Sequence, residues 1–109
     1  MTKKDFEKLS DNNFHDFWTR LYQGDFPRSN DMREAIYTFG DPGAAYWYAR
    51  KCDGPHIYTR KIACKDPKWA LLYAMYVDKK PHPDTENSIK TVVGYYRGYQ
   101  QWENSIKKI

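Results

Sequence analysis

The sequence predicts a small all-α protein built as a helical-repeat array, helix–connector–helix with a period of about 25 residues, closed by an N-terminal capping helix. Three observations predict it. The stretches DPGAAYWYAR from Asp41 and DPKWALLYAM from Asp66 share one phrase, Asp-Pro-x-x-Ala-x-x-Tyr-Ala, and their starting points define the period. Each phrase opens with an N-cap followed by proline at the first helical position: Asp accepts bonds from free backbone N–H groups, and Pro has no N–H to lose there. Apolar residues then recur at helical spacing, Ala45, Tyr48, Ala49 and Cys52 after the first cap and Ala70, Tyr73, Ala74 and Val77 after the second.

The elements follow in chain order. Residues 1–23 contain an amphipathic helix with Phe14, Phe17, Trp18 and Leu21 on one face and Gly24 to end it, a cap on residues 24–109. Asn30 or Asp31 caps a helix with Met32, Ala35, Ile36 and Phe39, which Gly40 terminates. The Asp41 helix comes next, then the connector CDGPHIYTR and a short helix from Thr59 through Ile62. The Asp66 helix also carries Trp69, Leu71, Leu72, Met75 and Tyr76. Being apolar nearly all round, it belongs in the middle of the fold. The connector VDKKPHPDTE leads to a helix from Asp84 or Thr85 through Ile89.

Thr91, one further period beyond Asp66, starts a degenerate third copy with Tyr99, Trp102 and Ile106 on its helix and Gly94 and Gly98 near the alanine positions. Residues 84–90 and 91–107 can also be read as one continuous helix. A unit this short cannot bury its own apolar face, so neighbours must stack. The alanines let adjacent helices approach closely enough for the flanking aromatics to interlock.

A length of 109 residues fits one domain, and 40% hydrophobic with 17% aromatic residues exclude a disordered tail. No apolar run approaches the roughly 20 residues that span a bilayer. The opening MTKKDFEKLSDNN lacks an apolar signal-peptide centre. A soluble, cytoplasmic protein with reduced Cys52 and Cys64 and no membrane partner is therefore expected. The net charge of +4 is uneven: residues 50–80 hold eight basic and three acidic residues, the rest of the chain ten and eleven. The basic character belongs to the middle of the protein.

No phosphate loop, dinucleotide fingerprint or His-Glu-x-x-His occurs. His15 sits beside Asp16 as an ordinary surface residue. Cys52 and His56 lie four apart, but Gly54-Pro55 breaks any shared helical face, and Cys52 fills the slot that Val77 fills in the next copy. Cys52, His56, Cys64 and His82 make a chemically legal zinc set without the paired knuckles that would recommend it. Neither a catalytic centre nor a cofactor is expected. Basic residues interleave with Trp47, Tyr58, Trp69 and Tyr76, which suits nucleic acid through phosphate contacts and base stacking. Against this, aromatics at helical spacing ordinarily build cores and the lysines around them a solvated rim. The ten tyrosines exceed what one core hides, so some are expected at the surface, with Tyr46, Trp47 and Arg50 on a flank away from the alanines. Tyr, Trp and Arg favour protein interfaces.

The phrase resembles tandem units in uncharacterised proteins of large bacteriophages and giant viruses, where Asp-Pro-x-x-Ala-x-x-Tyr-Ala alternates with a connector ending in aromatic-Pro-x-x-Glu. Asp41, Pro42, Ala45, Tyr48 and Ala49, then Asp66, Pro67, Ala70, Tyr73 and Ala74, carry the resemblance over roughly residues 22–98. Phe26-Pro27, and His82-Pro83 with Glu86, echo the connector, and Ile57 replaces its proline in the middle one. The resemblance implies an all-helical fold and a phage or viral source, and no known activity. The expected function is a non-enzymatic accessory factor in the host cytoplasm, binding a host protein or nucleoprotein such as a defence complex. The expected binding residues are Tyr46, Trp47, Arg50, Lys51, Arg60, Lys61, Lys65, Lys68, Lys79 and Lys80. Direct RNA or single-stranded DNA binding is the alternative.

Overall fold

The computed structural model describes residues 14–107. The first thirteen residues of the expected N-terminal element, and the side chains of Phe14, His15 and Asp16, lie outside the described residues. Among the described residues the chain forms seven helices and no strand, as the all-α reading expects. They are α1 (Phe14–Gln23), α2 (Asn30–Phe39), α3 (Pro42–Tyr48), α4 (Ile57–Ala63), α5 (Pro67–Tyr73), α6 (Pro83–Ile89) and α7 (Val93–Lys107). Both α3 and α5 run on into a π-helical turn, Ala49–Asp53 and Ala74–Asp78.

The two Asp-Pro starts are formed as the local chemistry dictates. Asp41 Oδ1 accepts from the N–H groups of Gly43 and Ala44 at 2.8 and 3.2 Å, and Asp66 Oδ1 accepts from Lys68 at 2.9 Å. Gly40, at φ 74°, ends α2 by donating its N–H to the Ile36 carbonyl. The other caps differ from expectation. Ser29 caps α2, His56 caps α4 and His82 caps α6, in place of Asn30 or Asp31, Thr59, and Asp84 or Thr85. The physical reason is that Thr59 and Thr85 are buried within the first turn and donate their hydroxyls to the His56 and His82 carbonyls. The imidazole Nδ1 then takes the cap, accepting from Tyr58 N–H in one helix and Asp84 N–H in the other, each at 3.1 Å.

An imidazole cap works only while Nδ1 is unprotonated. Burial, with Arg33, Arg60 and Arg28 adding repulsion against the pull of Asp53, holds the His56 pKa below its ordinary value. The unfolded chain therefore binds this proton first, so the cap's contribution is present above about pH 6.5 and is lost as the pH falls below it. The melting temperature should drop between pH 7 and pH 5, and His56→Ser, which restores the cap type of α2, should drop less. Equal acid sensitivity in the two proteins would refute the role of this histidine.

The core is a chain of three clusters rather than one mass, along a body of 43 × 26 × 21 Å. Phe17, Leu21, Met32, Ile36, Ala44, Ala45 and Tyr48 join α1, α2 and α3, with Ile62 of α4. Tyr46 and Ala49 on the other side of α3 meet Ala63, Tyr73 and Val77. Ala70 and Ala74 meet Ile89 and Tyr99. The stripe expected to be a single inward face is thus divided: Tyr48 and Tyr73 point back along the chain of clusters, and Ala49 and Ala74 point forward. As expected, α5 with its π-helical turn is central, a wall shared by two clusters, but it is not covered all round, because Tyr76 in that turn is exposed. Ala74 is fully buried, so Ala74→Leu overpacks the third cluster. It should cost about 1–3 kcal/mol, read as a lower denaturation midpoint.

At the C-terminal side α6 and α7 are separate helices, broken where Thr91 donates both its N–H and its hydroxyl to the Ser88 carbonyl. Thr91 is not the cap of α7. That helix starts at Val93, one position later than a strict repeat of Pro67 would place it, which brings Tyr99 to the place of Tyr73. The expected match of Gly94 and Gly98 to the alanines therefore fails: a Cβ on Gly94 would meet open space, and one on Gly98 only Leu71, at 3.9 Å. Where α5 and its π-helical turn carry Leu71, Ala74 and Met75, α7 presents Arg97, Gln100 and Gln101 to solvent.

Candidate binding surface

The charge of residues 50–80 is divided by the π-helical turns. Each turn closes with an N–H bonded five residues back, Gly54 to Ala49 at 2.7 Å and Lys79 to Ala74 at 2.9 Å. The extra residue per turn swings Asp53 and Asp78 inward, where each side chain is 1% exposed. Asp78 is held by the Arg60 fork, Nη2 to Oδ1 at 2.7 Å and Nε to Oδ2 at 3.0 Å. Asp53 is held by Arg33 in the same way, Nη2 to Oδ1 at 2.7 Å and Nε to Oδ2 at 3.0 Å, with Arg28 Nε at 3.3 Å. The hydrogen bonds to these carboxylates push the pKa values of Arg33 and Arg60 further up, so both arginines stay charged.

Arg60, expected among the binding residues, is therefore committed inside the fold, its side chain only 13% exposed. Tyr46 is also corrected, for it is fully buried: α3 packs on both flanks, and its ring lies 5.5 Å from Trp69 and 5.1 Å from Trp47. The remaining expected cations, Arg50, Lys51, Lys61, Lys65, Lys68, Lys79 and Lys80, are all exposed. With Asp53 and Asp78 withdrawn, Asp66 is the acid left in this stretch, and it caps α5. Lys79 carries the positive φ of 57° that Gly54 supplies at the end of the other π-helical turn, and among the described residues it is the non-glycine with such a backbone. A left-handed non-glycine residue costs on the order of 1–3 kcal/mol, which the fold sustains at a position facing solvent.

Rings and cations form a band across α1, α3 and α5. Trp18, Tyr22 and Trp47 are in succession, with centroids 5.8 and 5.0 Å apart. Arg50 is exposed, with its guanidinium carbon 5.3 Å from the Trp47 ring, 4.8 Å from Tyr76 and 5.9 Å from Tyr46, whose hydroxyl accepts from Nη1 at 2.8 Å. Lys68 Nζ lies 5.1 Å from the Trp69 ring. Tyr58 stands apart from this band, paired with Tyr37 at 5.3 Å beside a shallow cleft that Glu34 and Thr38 complete.

The groups considered for chemistry are engaged elsewhere. His56 and His82 cap helices through Nδ1. Burial raises the thiol pKa of Cys52 and pushes that of Cys64 up to about 12, which leaves little thiolate to act as a nucleophile. Among the described residues no three His, Cys, Asp or Glu side chains converge as metal ligands, and no helix is long and apolar enough to cross a membrane. The fold and surface define an all-helical protein with a basic–aromatic face. No protein-family model, curated protein or solved structure matches the chain.

Proposed function

We propose that the protein is a non-enzymatic binding module: a helix–connector–helix array of about 25 residues per unit, closed by α1, that holds another macromolecule against the face of α3 and α5. The observation that carries this reading is the charge division. Seven exposed cations of residues 50–80 stand against a single partly exposed acid, because the other two acids are buried in arginine forks. A surface left uncompensated in this way attracts an anionic partner. The aromatic band beside it adds the tyrosine and tryptophan area that protein interfaces favour. The resemblance of the Asp41 and Asp66 phrases to large-phage and giant-virus units supports a viral accessory factor. Its partner would then be a host protein or defence complex in the host cytoplasm.

Changing Lys61, Lys65 and Lys68 together to Gln should weaken partner binding at least about tenfold, roughly 1.4 kcal/mol, and flatten its salt dependence. The check is affinity capture from a nuclease-treated host lysate with wild-type and variant protein side by side. Equal retention by both would remove these three lysines from the partner contact. Loss of all capture after nuclease treatment would favour direct RNA or single-stranded DNA binding.

A further inference from the structure

The chain holds three arginines in two different ways, and the contrast identifies what the face reads. Arg33 and Arg60 are forked onto internal carboxylates, Asp53 and Asp78. Arg50 has no carboxylate partner among the described residues. Its guanidinium carbon lies instead 5.9, 5.3 and 4.8 Å from the rings of Tyr46, Trp47 and Tyr76, and one of its five N–H donors is spent on the Tyr46 hydroxyl. A guanidinium braced on rings keeps its geometry without being neutralised, and the remaining donors match a pair of oxygens two by two. We propose that Arg50 is the anchor for a carboxylate of an acidic protein segment, rich in Asp and Glu, lying along α3 and α5. This rests on the α3–α5 face being the binding face.

A carboxylate is favoured over the phosphate of a single strand by the state of the rings. Base stacking needs free ring faces. Here Tyr46 is buried against Trp69 and Trp47, Trp47 carries Arg50 and meets Tyr22, and Tyr76 carries Arg50. Around Arg50 these rings brace the cation, and the exposed ring surface left is that of Tyr22 and the outer side of Tyr76. The two π-helical turns touch one another, which brings the turn of Arg50 and Lys51 close to the one that Lys79 and Lys80 follow. Further acidic side chains on the same segment would meet these lysines.

Fluorescence anisotropy with a labelled oligoglutamate peptide and a labelled oligothymidylate of matched charge, at low and moderate salt, tests the assignment. Wild type should bind the peptide more tightly than the oligonucleotide. Arg50→Lys, which keeps the charge but not the flat fork, should weaken the peptide about tenfold, and Tyr76→Ala, which removes an exposed brace, should weaken it similarly, both with unchanged thermal melts. Peptide binding unaffected by Arg50→Lys would overturn the anchor while leaving the face intact. Tighter binding of the oligonucleotide would overturn the acidic protein segment in favour of a nucleic acid. Failure of both probes at low salt would overturn the anchor and the binding face together.

Discussion

Asp78→Ala should lower stability by about 3–5 kcal/mol, because it strands the Arg60 guanidinium in a site built to neutralise it. For a domain of this length the total is only on the order of 5–15 kcal/mol, so one substitution removes a large share. At about 4–8 °C per kcal/mol the melting temperature falls by more than about 10 °C. The effect belongs to the stranded charge and not to the pair as such. Two N–H groups of Arg60 are bonded to Asp78, and the arginine is nearly closed off from solvent. A charge in that position must be paired or hydrated, and the fold provides little water. The double variant Arg60→Met with Asp78→Leu should therefore recover most of the loss, since apolar side chains of similar volume replace buried pairs at little cost. Guanidinium denaturation of Arg60→Met, Asp78→Leu and the double variant that combines them gives the coupling energy directly. A double variant no more stable than the worse single one would mean that the fork does more than neutralise charge.

What was legible in the sequence was local. The caps at Asp41 and Asp66 bind N–H groups two or three residues on, and the terminators Gly24 and Gly40 act within a single turn. Short range is what a linear pattern records. The forks were not legible, because Arg33 and Asp53 are 20 residues apart and Arg60 and Asp78 are 18 apart. Both aspartates reach the interior only through a π-helical turn that the ordinary α-helical period does not anticipate. A signal was nevertheless present. Asp53 and Asp78 keep the same spacing as the two Asp-Pro phrases, so the shared wording extends beyond Tyr-Ala to the end of each π-helical turn. The third segment was misaligned for a similar reason. The pairs His56 and His82, and Thr59 and Thr85, are each spaced one position wider than the Asp-Pro pair, and the longer connector carries that shift into α7.

The candidate surface was legible as a region and not as an arrangement. Counting charges located residues 50–80, and seven of the ten named residues are exposed cations there. The count could not separate cations that face solvent from one that is spent inside. Arg60 and Lys61 are neighbours in sequence, yet one closes a buried fork and the other is exposed. Likewise Tyr46 and Trp47 are adjacent, yet the first is the floor of the Arg50 site and the second its part-exposed wall. A helix packed on both flanks leaves only a narrow strip for solvent, and which residue occupies that strip depends on neighbours outside the helix.

The second large effect is expected at Tyr73, and its form discriminates between burial and bonding. Tyr73 is fully buried, and its hydroxyl donates to the His56 carbonyl, accepts from the His56 N–H and lies 2.7 Å from Thr59 Oγ1. Tyr73→Ala removes a core ring and should cost about 3–5 kcal/mol. Tyr73→Phe keeps the ring but leaves the His56 N–H without its partner beneath the α4 cap, and should cost about 1–3 kcal/mol. Tyr99 supplies the control. It is equally buried at the corresponding place on α7, but among the described residues its hydroxyl makes no hydrogen bond of ordinary geometry, its near polar neighbour being the part-exposed Glu103 carboxylate. Tyr99→Phe should therefore be neutral or slightly stabilising, since it removes a polar group that burial has stripped of water without return. Denaturant midpoints for the two Tyr→Phe variants should then move in opposite directions or differ by at least about 1 kcal/mol. Equal losses at both positions would mean that the hydroxyl network around His56 contributes nothing beyond the packing of the ring.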